Sequence, residues 1–182
     1  IIKSFNIEKM SKSSSIFSYK KLNFFNNYYL SMNDNYEYFK DYLNDNLISE
    51  KDYLKEKEGI SKIFNVYKNK IEYYSKFEDI IKIYSNEDFK TKNNDILDKN
   101  FIIILKKFII YLEKIDIWNE ENLQMIIKSY LENKKIDFKN FGKPMRFLLT
   151  NSINGPSLSE ILDILGKKNA FLRINNYKNK IK

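Results

Sequence analysis

Three groups of residues in this chain could take part in chemistry. The first is Ser11-Lys12-Ser13, inside EKMSKSSSIF at 8–17, where an ammonium between hydroxyls suits phosphate oxygens. The second is a pair of arginines, since Arg146 and Arg173 are the only ones among 32 basic residues. The chain is otherwise saturated with Lys, Asn, Ile, Tyr and Phe, the residues that AT-rich codons encode. Lys would have kept the charge, so an Arg that survives such a bias adds something else, a planar fork of donors. The third is punctuation. Gly142, Pro144, Gly155, Pro156 and Gly166 crowd into 142–166, whereas the first 141 residues hold only Gly59. Such a cluster marks turns where backbone approaches another helix or a ligand.

With no Cys and no His, disulfides, Cys/His zinc sites, a Cys nucleophile and a Ser-His-Asp triad are excluded. A net charge of +8 and a pI near 9.3 suit a polyanionic partner, although codon bias toward Lys produces the same balance. The N-terminus has no signal-peptide pattern, and a start at Ile rather than Met reads as part of a longer polypeptide. The most apolar stretch, FIIILKKFIIYL at 101–112, is too short to span a bilayer and is split by Lys106 and Lys107. It predicts a buried helix in a soluble protein.

The elements that must position these residues read as helical. Leu22, Phe25 and Tyr29 recur at steps of three and four, as do Tyr36, Phe39 and Leu43. Further helices are expected at 49–69, 71–84, 95–114, 119–133, 144–152 and 157–174. Asn119 can cap the helix that carries Glu120 and Glu121 in its first turn. Ser157 with Glu160 forms a capping box just after Pro156. No sustained period-two run occurs. The expected fold is all-α, a bundle or cage of short helices packed at steep angles. Tyr28, Tyr29, Tyr73 and Tyr74 are expected to pack between helices. Trp118 is read as a packing anchor at a helix start, and Arg173 as a charge favouring its own helix C-terminus.

The segment GKPMRFLLTNSINGPSLSEILDILGKKNAFLRI, 142–174, resembles the C-terminal signature of bacterial-type glutamyl-tRNA synthetases: P-L-R-x-x-L-T-G, then a G/T-P-x-L turn, then E-I-L-x-x-L-G-K. Residues 117–138 are similar to the family's W-(T/N)-x-E helix. Residues 63–89 are similar to its K/R-x-R-x-x-T-L-x-E segment, and 17–32 to its F-D-x-x-K-L-x-W-x-N-x-x-Y-I helix. The likeness runs over the whole chain in the family's order.

That likeness settles the opening motif by position. KMSKS looks like the loop with which class I aminoacyl-tRNA synthetases hold ATP phosphates. In the family, however, that loop lies well upstream, and a second F-x-x-x-x-V-S-K-S element sits directly before the K-L-x-W-x-N helix. Phe5 and Ser11-Lys12-Ser13 stand directly before Lys21-Leu22 and Asn26, so Lys12 matches the second element and is not expected to touch ATP.

The resemblance implies the tRNA-reading half of a glutamate–tRNA ligase without its catalytic half: 1–16 as the end of a connecting region, 17–115 and 116–182 as two helical anticodon-binding subdomains. No catalytic residue, cofactor or metal is expected in this chain; ATP and Mg²⁺ belong to the missing catalytic domain. The implied partner is tRNA-Glu, with tRNA-Gln left open as a second partner beside it, for a monomer in the bacterial cytoplasm or an organellar matrix and off the membrane. The anticodon-binding residues implied are Arg146, Gly155, Pro156, Ser157, Leu158 and Lys70. Lys70 stands where many members carry Arg, so a point charge replaces the fork there. Three structural readings stay open: Arg146 paired with a helix carboxylate, Lys70 as a solvated helix residue, and the Gly/Pro turns serving packing alone. So do two rival functions, a free-standing RNA-binding protein and a helical interaction domain whose charge is codon bias.

Overall fold

The computed structural model describes residues 16–32, 36–46, 57–85 and 88–180. Phe5, Lys12 and nearly all of the 1–16 segment lie outside them. Among the described residues there are eight helices and no strand: α1 Tyr19–Ser31, α2 Tyr36–Asn46, α3 Lys57–Tyr67, α4 Ser75–Ser85, α5 Lys99–Glu113, α6 Glu120–Lys134, α7 Phe138–Thr150 and α8 Leu158–Lys180. The all-α expectation holds. No described helix is long and apolar enough to cross a membrane.

Side-chain caps start five of these helices, α1 among them through Ser18 Oγ, which accepts from Lys21 N at 3.4 Å. The Oδ1 of Asp98 accepts from Phe101 N at 2.7 Å, that of Asn119 from Asn122 N at 2.9 Å, and that of Asp137 from Lys139 N at 3.0 Å. The capping box read at α8 forms in both directions, Ser157 N to Glu160 Oε2 at 2.6 Å and Glu160 N to Ser157 Oγ at 3.1 Å. Each bond satisfies an end N–H that has no partner inside its helix.

Two aromatic clusters organise the interior. Phe39, Phe64 and Phe77 join α2, α3 and α4, with ring centroids 4.4–5.7 Å apart. Phe108, Tyr130 and Phe141 do the same for α5, α6 and α7, at 4.8–6.1 Å. All six side chains are fully buried, each worth roughly 1.5–3 kcal/mol of transfer free energy. The apolar 101–112 stretch is buried through Phe101, Leu105, Phe108 and Leu112, as its pattern predicts. Helix α8 packs along α6 and α7 and reaches α3. Trp118 is the expected anchor: its Nε1 donates to Leu162 O at 2.9 Å and its ring faces Phe171.

Four readings need correction. Gly142 and Pro144 do not mark a turn, because α7 begins at Phe138 and runs through both. Pro144 removes only the donor to Asn140 O, an exposed position that water can serve. Gly142 leaves room for the Phe138 ring, whose atoms would lie 2.5–3.0 Å from a Cβ added there. The long last helix bends at Gly166, whose φ of 70° and ψ of 162° suit glycine alone. Tyr28, Tyr29 and Tyr73 are exposed rather than packed between helices, while Tyr74 does pack on the core.

Arg173 does not serve its own helix end. It is 2% exposed, with Nη1 donating to Leu149 O at 2.5 Å and Nη2 to Ile83 O at 2.6 Å and Tyr84 O at 3.3 Å. These carbonyls belong to the last turns of α7 and α4, so one cation neutralises the negative ends of two helices. Phe89 lies under the guanidinium, 3.9 Å from ring centroid to Cζ.

Burial also fixes an alkaline limit. It pushes the hydroxyls of Tyr67, Tyr74, Tyr130 and Tyr177 above the ordinary 10.0, and Tyr42 up to about 12, where its 2.5 Å bond to Glu78 adds to desolvation. A folded pKa above the unfolded one gives stability that is complete below pH 10 and lost as pH rises through the folded value. Thermal melts should therefore be flat to about pH 10 and fall steeply by about pH 12. The phenolate absorbance of these five tyrosines should rise in the same interval.

Candidate nucleic-acid interface

The six residues expected to read RNA come from three places in the chain. Lys70 lies in the turn after α3, its N bonded to Tyr67 O at 2.7 Å, and is not a helix residue. Arg146 projects from the middle of α7. Gly155, Pro156 and Ser157 form the turn into α8, and Leu158 is its first residue.

The fold brings them to one side. Arg146 Nε donates to Pro156 O at 3.0 Å and Nη1 to Ile153 O at 3.0 Å. The guanidinium therefore clasps the turn rather than a helix carboxylate, and among the described residues its Nη2 has no protein acceptor. Its methylene stem passes Gly155, where a Cβ would sit 3.8 Å from Arg146 Cδ. The φ of 141° at Gly155, not lack of space, is what requires glycine there.

Glu160 joins Lys70 to the same turn. Its Oε2 takes the Ser157 N–H and lies 3.9 Å from Lys70 Nζ. Both side chains are partly open to solvent, so this ion pair contributes little stability and mainly sets direction. Tyr67 fills the space beneath, with Lys70 Nζ 5.9 Å from its ring centroid and its hydroxyl 2.9 Å from that of Tyr84. Burial first of all pushes the Tyr67 hydroxyl up, with Glu160 adding to this and Tyr84 and Arg146 opposing it. It stays a neutral donor at physiological pH.

The C-terminal end of α7 is pinned as well. Thr150 Oγ1 donates to Arg146 O at 2.9 Å and accepts from Ser152 N at 3.3 Å. Asn151, left-handed at φ 57°, gives its amide to Lys90 O at 3.1 Å and accepts from Lys92 N at 2.8 Å. Backbone on both sides of the turn is held before any ligand arrives.

Beside the turn lies an open apolar cleft of ≈ 570 Å³ between α6 and the starts of α7 and α8, with Leu131, Ile136, Phe138 and Leu158 among its walls. Leu158 is otherwise buried, 2% exposed. Among the described residues no group of three or more acidic residues could hold a metal. The surface as a whole offers donors, cations and a shallow apolar wall, the parts that hold a splayed base and its phosphate.

Tyr67 and the link from Glu160 to Lys70 were not foreseen. A tyrosine three residues before the site lysine resembles any core aromatic, and Glu160 is read fully as a capping residue until Lys70 is seen beside it.

A family model described as an anticodon binding domain matches residues 34–178. The glutamate–tRNA ligase of Clostridioides difficile is 25% identical over 98% of the chain, which covers 38% of that protein. That of Buchnera aphidicola subsp. Cinara cedri is 32% identical over 95% of the chain and 37% of its own length. The chain thus spans little more than a third of these relatives. A crystal structure of a glutamate tRNA ligase from Elizabethkingia meningosepticum in complex with its amino acid superposes with a TM-score of 0.79 over 100% of the chain and 36% of that protein, and at 20% identity it speaks for the fold. The family match extends over most of the chain and over every helix that frames Lys70, Arg146 and the 155–158 turn, and the chain belongs to the anticodon-binding-domain family.

Proposed function

We propose that this chain is the anticodon-reading part of a glutamate–tRNA ligase, binding tRNA-Glu and, given a lysine at position 70, able to accept tRNA-Gln as well. The observation that carries this reading is the meeting of Arg146, Lys70 and the Gly155–Leu158 turn on one surface, tied together through Pro156 O and Glu160. Lys70 belongs to the 17–115 subdomain and Arg146 to the 116–182 subdomain, so the loop of the tRNA is read across both. Arg146 turns its free Nη2 toward a base edge, the turn offers backbone groups, and Lys70 supplies a point charge. ATP, Mg²⁺ and the joining of glutamate to tRNA belong to the remainder of such an enzyme, and this chain alone forms no aminoacyl-tRNA. The setting is a monomer in a bacterial cytoplasm or organellar matrix.

Binding of this chain to tRNA-Glu transcript, to an anticodon-altered transcript and to heparin tests the reading. The expected order is cognate above altered above heparin, with log K falling by about 0.7–0.9 per phosphate contact for each tenfold rise in salt. Equal affinity for tRNA and heparin would reduce the charge to codon bias and overturn the proposal.

A further inference from the structure

Glu160 carries more than its cap requires. A capping box needs one side-chain oxygen at this position, and glutamine supplies it as well as glutamate. Here Oε2 meets that need by accepting from Ser157 N at 2.6 Å. Among the described residues no protein donor reaches Oε1, and the side chain is 23% exposed beside Lys70 and the turn into α8. Asp163, further along the same helix, is by contrast committed to Lys62, its Oδ1 3.1 Å from Nζ. The charge and the second oxygen of Glu160 are thus surplus to the fold. On a surface that receives RNA an anionic oxygen repels phosphate, so its presence there needs a reason.

We infer that Glu160 is a specificity-determining residue of the reading surface, its Oε1 accepting an N–H from the Watson–Crick edge of the same anticodon base that takes the ammonium of Lys70. The charges favour a base over a phosphate. Lys70 Nζ lies 3.9 Å from Oε2, so its charge is balanced while its donors stay available for a hydrogen bond. A neutral pair attracts a phosphate weakly. A base edge suits it, because such an edge sets an N–H beside an acceptor: N3–H beside O4 in uracil, the exocyclic amine beside N3 in cytosine. Both glutamate anticodons, UUC and CUC, consist of bases of this kind. A carboxylate only accepts, so an edge that brings no N–H leaves Oε1 unpaired, and a polar site rejects a near-match in this way. Arg146 cannot apply that test, since a guanidinium has donors alone. The inference rests on the anticodon reading and deepens it by naming what the Lys70 side of the surface demands of its base.

The test is binding of this chain and of Glu160→Gln to tRNA-Glu anticodon hairpins in which one anticodon base at a time has its N–H blocked, as N3-methyluridine or N4,N4-dimethylcytidine. The parent should prefer the unmodified hairpin by about tenfold or more at the position that meets Oε1. Glutamine keeps its oxygen on Ser157 N and presents an NH₂ where Oε1 stood, turning the acceptor into a donor. Glu160→Gln should therefore melt as the parent does and erase that preference. Its log K should fall more steeply with log salt, by about 0.7–0.9, because Lys70 without its counter-charge takes a phosphate. A residue that served only the cap would move neither the preference nor the slope. Lys70→Met, in an exposed turn, should weaken the same preference at the same base, and the two substitutions should not add. A preference that survives Glu160→Gln overturns the inference, as does a Lys70→Met effect at a different base. A parent that tells cognate from anticodon-altered tRNA yet ignores every blocked N–H overturns it and leaves the anticodon reading standing. A parent that binds tRNA and heparin alike overturns both.

Discussion

Arg146→Lys should lower the affinity of this chain for the cognate tRNA by about ten- to a hundredfold while leaving an anticodon-altered tRNA nearly untouched, since one bidentate base contact is worth about 1–3 kcal/mol of discrimination. Two of the guanidinium's donors are already used, on Pro156 O and Ile153 O. A lysine ammonium can hold one of these carbonyls but cannot span both and still face outward, so the base contact is lost while the capping box of Ser157 and Glu160 keeps the turn. Charge is conserved, and the phosphate contribution to both tRNAs should stay. Lys134→Ala, at the exposed end of α6, is the contrast: it should weaken both tRNAs slightly and alike. Paired binding curves with the two transcripts decide the matter. If the preference survives in a folded Arg146→Lys protein, Arg146 serves only the turn.

Arg173→Met should cost about 3–5 kcal/mol of folding stability, since it strands Leu149, Ile83 and Tyr84 carbonyls in a site closed to water. For a chain of this size that is a fall in melting temperature of roughly 6–20 °C. Arg173→Lys should recover less than half, because one ammonium cannot reach the ends of α4 and α7 at once and does not stack flat on Phe89. Differential scanning calorimetry of the two variants beside Arg146→Lys should separate the arginines cleanly. Arg146→Lys should melt near the parent and lose selectivity. A melting temperature within two or three degrees for Arg173→Met would show that other donors or water serve those carbonyls.

The contrast between these arginines shows what the sequence could convey. Rarity of Arg in a Lys-rich chain pointed to both, but it could not say what either fork holds, and from local sequence Arg173 reads only as a charge for its own helix C-terminus. Arg173 acts on residues 24 and 90 positions away, and no local spacing encodes that meeting of two helix ends. Signals that need only neighbours were legible: the Ser157–Glu160 box, the Asn119 cap, the burial of Phe101, Leu105, Phe108 and Leu112. For α1, three-and-four spacing of Leu22, Phe25 and Tyr29 correctly gave a helix. Periodicity reports that one side is apolar, not which side the rest of the chain covers. Membership of the family was readable from the 142–174 motif, while the ties among Lys70, Tyr67, Glu160 and the turn needed α3 and α8 laid side by side.

The bend at Gly166 has a consequence for how this chain can vary over evolution. On one side of it Ser157 and Glu160 face the reading surface, and on the other Arg173 must arrive under Leu149, Ile83 and Tyr84. An α-helix advances by about 100° per residue, so one residue gained or lost between 167 and 172 would swing the guanidinium off all three carbonyls. Residues 157–173 therefore behave as a ruler of fixed length. Sequences descended from this one can drift in composition along that stretch, but insertions and deletions should be confined to other parts of the chain.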